Sequence, residues 1–375
     1  MKIEQIHWTP AGWRGESGLV AAQLALIYGA TDRLDEARLN EIRARYPSAT
    51  LLGCSTSGEI LDTRVHDDSI AVTAIVFERT PLKLARHTVT DAADSHAAGA
   101  ALARDLRADD LRHVFVLSDG LHVNGTELVE GLRTELPAGI RVTGGLSGDG
   151  ARFQRTLVIA DGPAEERQIA ALGLYGDAIR VGDGCLGGWD PFGPDRLITR
   201  SKGNVLYELD GQSALGLYKK YLGDHAAGLP ATGLLFPLAL TAEAGMNGGL
   251  VRTILAIDET EQSMTFAGDM PEGMYARLMK ANFDRLVDGA AAAAETTKAP
   301  LSGGQAELAI LISCVGRKLV LKQRIEEEVE AVRDVLGPGT ALTGFYSYGE
   351  ISPYAPTGRC ELHNQTMTIT TLRED

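Results

Sequence analysis

Leu342-Thr343-Gly344-Phe345-Tyr346-Ser347-Tyr348-Gly349-Glu350-Ile351 closes the segment, 306–351, whose reading decides the fold. The segment opens with an apolar run, Leu308 to Ile312, of the length expected for a buried parallel strand. A polar turn, Ser313 to Arg317, leads into Leu321, Ile325, Val329, Val332 and Leu336, spaced by three and four so that one helical face is apolar. Gly337-Pro338-Gly339 stops that helix, because proline cannot continue the hydrogen-bond ladder and glycine accepts a left-handed cap. A second strand, Thr340 to Phe345, then enters the Ser-Tyr-Gly-Glu loop. The pattern is a βαβ unit closed by a glycine loop at the carboxyl end of a strand.

The chain repeats this unit. Residues 111–150 give strand Val114 to Leu117, a helix opened by Asn124 with Glu127 three residues on, strand Ile140 to Thr143, and the loop Gly144-Gly145-Leu146-Ser147-Gly148-Asp149. Residues 23–60 give apolar Leu24 to Tyr28, a helix from Asp35 to Tyr46, strand Ala49 to Leu52, and Gly53-Cys54-Ser55-Thr56-Ser57-Gly58-Glu59-Ile60. The first and last loops share Gly-x-x-x-x-Gly-Glu-Ile. The spacing between copies is irregular, which excludes a solenoid.

Elsewhere, Ser69 to Phe77 and Leu82 to Val89 read as a hairpin at the edge of one sheet, and Arg155 to Ala160 pairs with Ile169 to Tyr175 across a polar turn. Residues 176–203 read as a glycine-rich ordered loop around Trp189 and Phe192. Phe236 to Leu240, Arg252 to Ile257 and Ser263 to Phe266 form a meander, and a helix runs from Met274 to about Ala294. The fold class is thus α/β: a two-part protein of repeated βαβ units with glycine-loop strand ends, in mixed sheets with additional antiparallel strands. The boundary falls at Gly211, dividing 1–211 from 212–375.

With 375 residues and 44% apolar content the chain can bury at least two ordinary cores. A formal charge of −14 argues against nucleic acid or an anionic membrane as partner. No run of eighteen apolar residues and no signal-peptide core is present, and four dispersed cysteines without metal spacing fit a reduced, cytoplasmic protein.

These strings together resemble the FIST family, a two-part sensory module of signalling proteins. Gly53 to Ile60 resembles the glycine loop of its N-terminal half, and Gly145 to Asp149 its second. Gly188-Trp189-Asp190-Pro191 with Leu209-Asp210-Gly211 resembles the linker between halves. Gly344 to Pro353 and Leu362-His363-Asn364-Gln365-Thr366 resemble the marked segments of the C-terminal half. The resemblance implies small-molecule sensing coupled to signal transduction, with amino acids as suggested ligands. A free-standing bacterial branch implies a second reading: haem binding, nitric-oxide sensing and regulation of a histidine kinase. No kinase, cyclase or DNA-binding segment is evident, so output would pass through a partner.

Ligands of open α/β sheets sit beyond strand carboxyl ends, where glycines let backbone amides approach. The three loops offer Ser57, Ser147 and Ser347 with Glu59, Asp149 and Glu350, a set suited to an ammonium-bearing ligand. Arg152 or Arg317 would hold its carboxylate. The alternative is that the glycines make tight turns and the carboxylates cap backbone amides. A non-covalent haem would need an axial ligand such as His363, His122 or His225, since no CxxCH is present. A hydrolase is a third reading, but no serine has glycines at both minus two and plus two, and no catalytic residue is assigned.

Overall fold

The computed structural model describes residues 1–375 apart from 16–17, 247–248, 302 and 355–357. All three βαβ units are present. The first joins Leu24–Gly29 to Thr50–Ser55 through helix Glu36–Arg45, and the second joins Leu111–Ser118 to Arg141–Leu146 through helix Gly125–Glu135. The third joins Leu308–Cys314 to Ala341–Ser347, with helix Ile325–Leu336 between them. Each strand pair is parallel. Local chemistry starts the first two helices: Asp35 accepts from the Arg38 amide, and Asn124 from those of Thr126 and Glu127.

Gly53, Gly144 and Gly344 occupy equivalent positions in the three second strands. A Cβ at each would run into the neighbouring strand's carbonyl oxygen, of Ile27, Val116 and Leu311 respectively. Glycine is therefore required by close approach three times over, and this explains why the glycine repeat is visible in the sequence.

After each loop the chain leaves its own sheet. Glu59–Leu61 pairs antiparallel with Ala341–Ser347 of the third unit, Val158–Ala160 with Thr50–Ser55 of the first, and Gly349–Pro353 with Arg141–Leu146 of the second. A second exchange runs along the other edge. Ile70–Val76 lies in the first sheet and Leu82–Thr88 in the second; Gln168–Tyr175 lies in the second and Ile179–Leu186 in the third. Met367–Glu374 lies in the third, and the chain's opening strand Lys2–Thr9 completes the first. The Met1 ammonium meets Glu307 at 2.7 Å, close to the C-terminal strand. Three sheets thus close on one another with threefold pseudo-symmetry, and strands from both sides of residue 211 share two of them.

One apolar core is shared by all three sheets, with Leu26, Phe115 and Ile310 among its members. Three further cores lie under the helices on the outer faces. Each fully buried Leu, Ile or Phe contributes roughly 1.5–3 kcal/mol, so the closed arrangement rests chiefly on side chains that no single repeat could bury alone. Residues 190–280 are inserted into the third repeat and form a fourth sheet, with helix Ala214–Leu222 packed on it.

Five sequence expectations change. The meander is broken in its middle segment: Leu250–Arg252 pairs with Leu238–Thr241 and Ile254–Asp258 with Ser263–Phe266, at opposite edges of the inserted sheet. The two presumed hairpins, 69–89 and 155–175, are split between sheets, because each outgoing strand is recruited by a neighbouring repeat. Ile179–Leu186 is a strand rather than part of a loop. Its Gly182 and Gly184 are needed because the carbonyls of Thr297 and Ala293 lie where their side chains would be. The helix expected from Met274 begins only at Phe283, capped by Asn282. Tyr275–Lys280 pairs with Leu238–Thr241 as a strand, its residues alternating between buried and less buried.

Candidate functional site

The three loops meet end to end. The Gly148 amide donates to Ser55 O (2.9 Å), the Ser57 amide to Tyr346 O (2.8 Å), and the Tyr348 amide to Leu146 O (3.1 Å). This ring fixes the correspondence of the repeats: Thr56, Ser147 and Ser347 are equivalent, and Ser57 follows one residue later, opposite Gly148 and Tyr348.

The equivalent hydroxyls turn inward. Thr56 Oγ1 donates to Glu59 (2.6 Å) and Ser347 Oγ to Glu350 (2.5 Å), while Ser147 Oγ donates to Ser118 O (2.9 Å). Both glutamates are fully buried. Burial pushes Glu59 up to about 7 and Glu350 up to about 8, against the opposing pull of their hydroxyl donors. Asp149 behaves differently. Burial acts to raise its pKa, but the Tyr348 hydroxyl and the amides of Arg155, Gln154 and Phe153 outweigh it and hold the carboxyl below its ordinary value.

Of the charged candidates, Arg152 is half exposed, donates to Asp149 O (2.9 Å) and pairs with Asp32 at 2.7 Å. Arg317 is fully buried elsewhere. It donates twice to Glu328 (3.0 and 2.7 Å) and also to the carbonyls of Gly187 and Leu286. Ser147 and Ser347 are fully buried, and none of their hydrogen bonds involves a histidine.

Two clefts open at the loops. Ser57, Glu59, Asp149 and Arg152 border an open one of about 200 Å³ between the first and second loops, together with Asp32 and Asp67. The other, of about 260 Å³, lies where the second and third loops meet the inserted sheet. Gly120, Asn124, Leu146, Val315 and Tyr348 form its base, and Thr253, Leu255, Phe266 and Asp269 roof it. Phe153 and Leu255 at its margin are large apolar side chains left 41% and 43% exposed. Phe153 stacks on Tyr348 (4.4 Å between ring centres) in the left-handed region at φ 53°, a conformation that costs a bulky residue about 1–3 kcal/mol. Asp149 holds both members of the stack, through the Phe153 amide and the Tyr348 hydroxyl. Sequence reasoning marked Asp149, but no local pattern announced Thr253, Leu255 or Asp269, which the chain brings in from the insertion.

Each of the three candidate haem ligands contacts another group. His363 is buried with Nε2 on Ser352 O at 3.0 Å, His122 holds the Asp119 carboxylate at 3.2 Å through Nδ1, and the ring of His225 lies 5.4 Å from that of Phe236. None of the three lines either cleft. Among the described residues, no group of three or more His, Cys, Asp or Glu side chains could hold a metal. No described helix is long and apolar enough to cross a membrane.

A model of the FIST N domain matches residues 23–212, and one of the FIST C domain matches residues 214–353. No curated protein matches the chain. Among solved structures, the crystal structure of a cyanuric acid hydrolase from A. caulinodans is similar over 100% of this chain and 98% of its own, at 11% identity and a TM-score of 0.38. A likeness that low carries no argument about function.

Proposed function

The chain belongs to the FIST family, whose N and C domains are sensory domains of signal transduction, and we propose that its small-molecule ligand sits in the roofed cleft at the second and third loops. The observation that carries this reading is the meeting there of strand ends, a strained aromatic stack and a second sheet around a largely apolar space. Its volume of about 260 Å³ suits a compact ligand, just below the roughly 300–1,000 Å³ usual for drug-sized ones. Ser57, Glu59, Asp149 and Arg152 border the neighbouring open cleft, and Asp149 serves the roofed one by holding Phe153 and Tyr348.

A ligand touching both base and roof ties residues 253–269 to the three-sheet body. It acts as a signal only to the extent that it binds the tied arrangement better than the untied one. The surface so changed would meet a cytoplasmic signalling partner such as a histidine kinase. Neither nucleic acid nor membrane insertion enters this scheme, and the haem and hydrolase readings draw on no feature of the cleft.

A thermal-shift panel of amino acids, amines, small carboxylates and haem provides the test. A ligand present at a hundredfold its Kd stabilises the fold by about 2.7 kcal/mol, so the melting temperature should climb with concentration for a small organic compound. A panel in which only haem acts, with a sharp stoichiometric Soret band, would sink the reading.

A further inference from the structure

We propose that the roofed cleft selects a monocationic amine with an apolar body and no carboxylate, a claim that rests on that cleft being the ligand site. Among the described residues that line it, Asp269 alone is charged. Its Oδ1 is buried without a hydrogen-bond partner among the described residues, as is the Oγ1 of Thr253, a lining residue only 4% exposed. Leaving such groups unpaired is unfavourable, and both belong to the roof. The nearby Arg252 makes no hydrogen bond to either side-chain oxygen, although its buried guanidinium and the Asp269 carboxylate attract one another. Its guanidinium donates to the backbone carbonyls of Asp269 (3.2 Å), Val251 (3.4 Å) and Leu362 (2.9 Å).

An ammonium group supplies the missing donors, to the carboxylate as a charge-assisted bond and to the threonine oxygen as an acceptor. Leu121, Val123, Leu146, Leu234 and Phe266 offer an apolar surround for the rest of the molecule. A free α-amino acid is disfavoured for a specific reason: among the described residues no Lys, Arg or His lines the cleft, so its carboxylate would be buried unpaired beside Asp269. Arg152 and Arg317, the partners expected for a carboxylate, both lie outside it.

Calorimetric titration of the full chain with phenethylamine, L-phenylalanine and 3-phenylpropionate separates the classes, because the three share a ring and differ in charge. Phenethylamine should bind, with the other two at least about tenfold weaker, a difference of about 1.4 kcal/mol. Asp269→Asn should weaken phenethylamine about tenfold or more, and Thr253→Val, nearly isosteric, should weaken it less. Equal or tighter binding of phenylalanine, or an Asp269→Asn variant with unaltered affinity, would overturn the amine assignment. So would the absence of binding by both phenethylamine and isoamylamine at millimolar concentration. Leu255→Trp, at an exposed position on the margin, reports on the site itself. It should block whichever compound binds, and unimpaired binding in that variant would overturn the location of the site as well as the ligand class.

Discussion

Arg317→Met is expected to destabilise the protein by about 3–5 kcal/mol, the range for breaking a buried ion pair by removing one partner. Arg317 and Glu328 are both fully buried, and Glu328 also accepts from Ser313 Oγ (3.0 Å) and Tyr346 Oη (2.8 Å). Through the Arg317 bonds to Gly187 O and Leu286 O, this network ties helix Ile325–Leu336 to the segment entering the inserted sheet and to helix Phe283–Thr296. Methionine fills much of the volume, but it leaves Glu328 charged and two carbonyls unmet. Against a typical total stability of about 5–15 kcal/mol, the loss should move the urea midpoint far down. Adding Glu328→Gln removes the stranded charge and should recover a substantial part of it. Equal midpoints for Arg317→Met and wild type would show that the pair does not hold this junction.

The second large effect is on stability against pH. Glu59 and Glu350 have folded pKa values of about 7 and 8, above their ordinary 4.5. Between pH 4.5 and those values the folded chain holds protons that the unfolded chain has released, so raising the pH lowers stability by roughly 1.4 kcal/mol per unit for each group. Between pH 6.5 and 8 the pair should together cost about 2–3 kcal/mol. Histidines work the other way on the acid side. Burial lowers His113 to about 3 and His363 to about 4, and burial with the neighbouring His66 lowers His7 to about 4. Below pH 6.5 the unfolded chain takes up protons that these folded imidazoles refuse, and stability falls with decreasing pH more than the glutamates raise it. The maximum should therefore lie near pH 6.5. Glu350→Gln keeps the shape of a protonated carboxyl, and Ser347 Oγ, which reaches both Glu350 and Ser313 O (3.3 Å), can donate to either. The variant should flatten the alkaline limb to the smaller share due to Glu59. Chemical denaturation from pH 5 to 9 measures this, and an alkaline limb equally steep in Glu350→Gln would contradict it.

The repeat was legible because each of its parts has a local cause. Leu308 to Ile312 is a continuous apolar run because its strand is covered on both faces, and Gly53, Gly144 and Gly344 are fixed by a neighbouring carbonyl. The strand exchange was not legible. Glu59–Leu61 is three residues long and its partner lies more than 280 residues away, so nothing in its own composition names the sheet it joins. The 69–89 segment shows the same limit from the other side: two good strands and a turn look like a hairpin, and only the closed threefold arrangement sends them to different sheets. In the loops, the sequence drew attention to carboxylates that prove chemically unusual. It could not tell that Glu59 and Glu350 are internally satisfied, or that Arg317 is committed to Glu328. Thr253 and Asp269 carry no motif. Their importance comes from the insertion folding back over the loop ends, a long-range event.

Amide hydrogen exchange, recorded with and without a saturating amount of the compound that stabilises the protein most, tests the placement of the site most directly. A ligand in the roofed cleft should slow exchange in two separate stretches at once, 120–125 at its base and 253–269 in its roof. Protection confined to 57–68 and 149–152, around the open cleft, would contradict that placement.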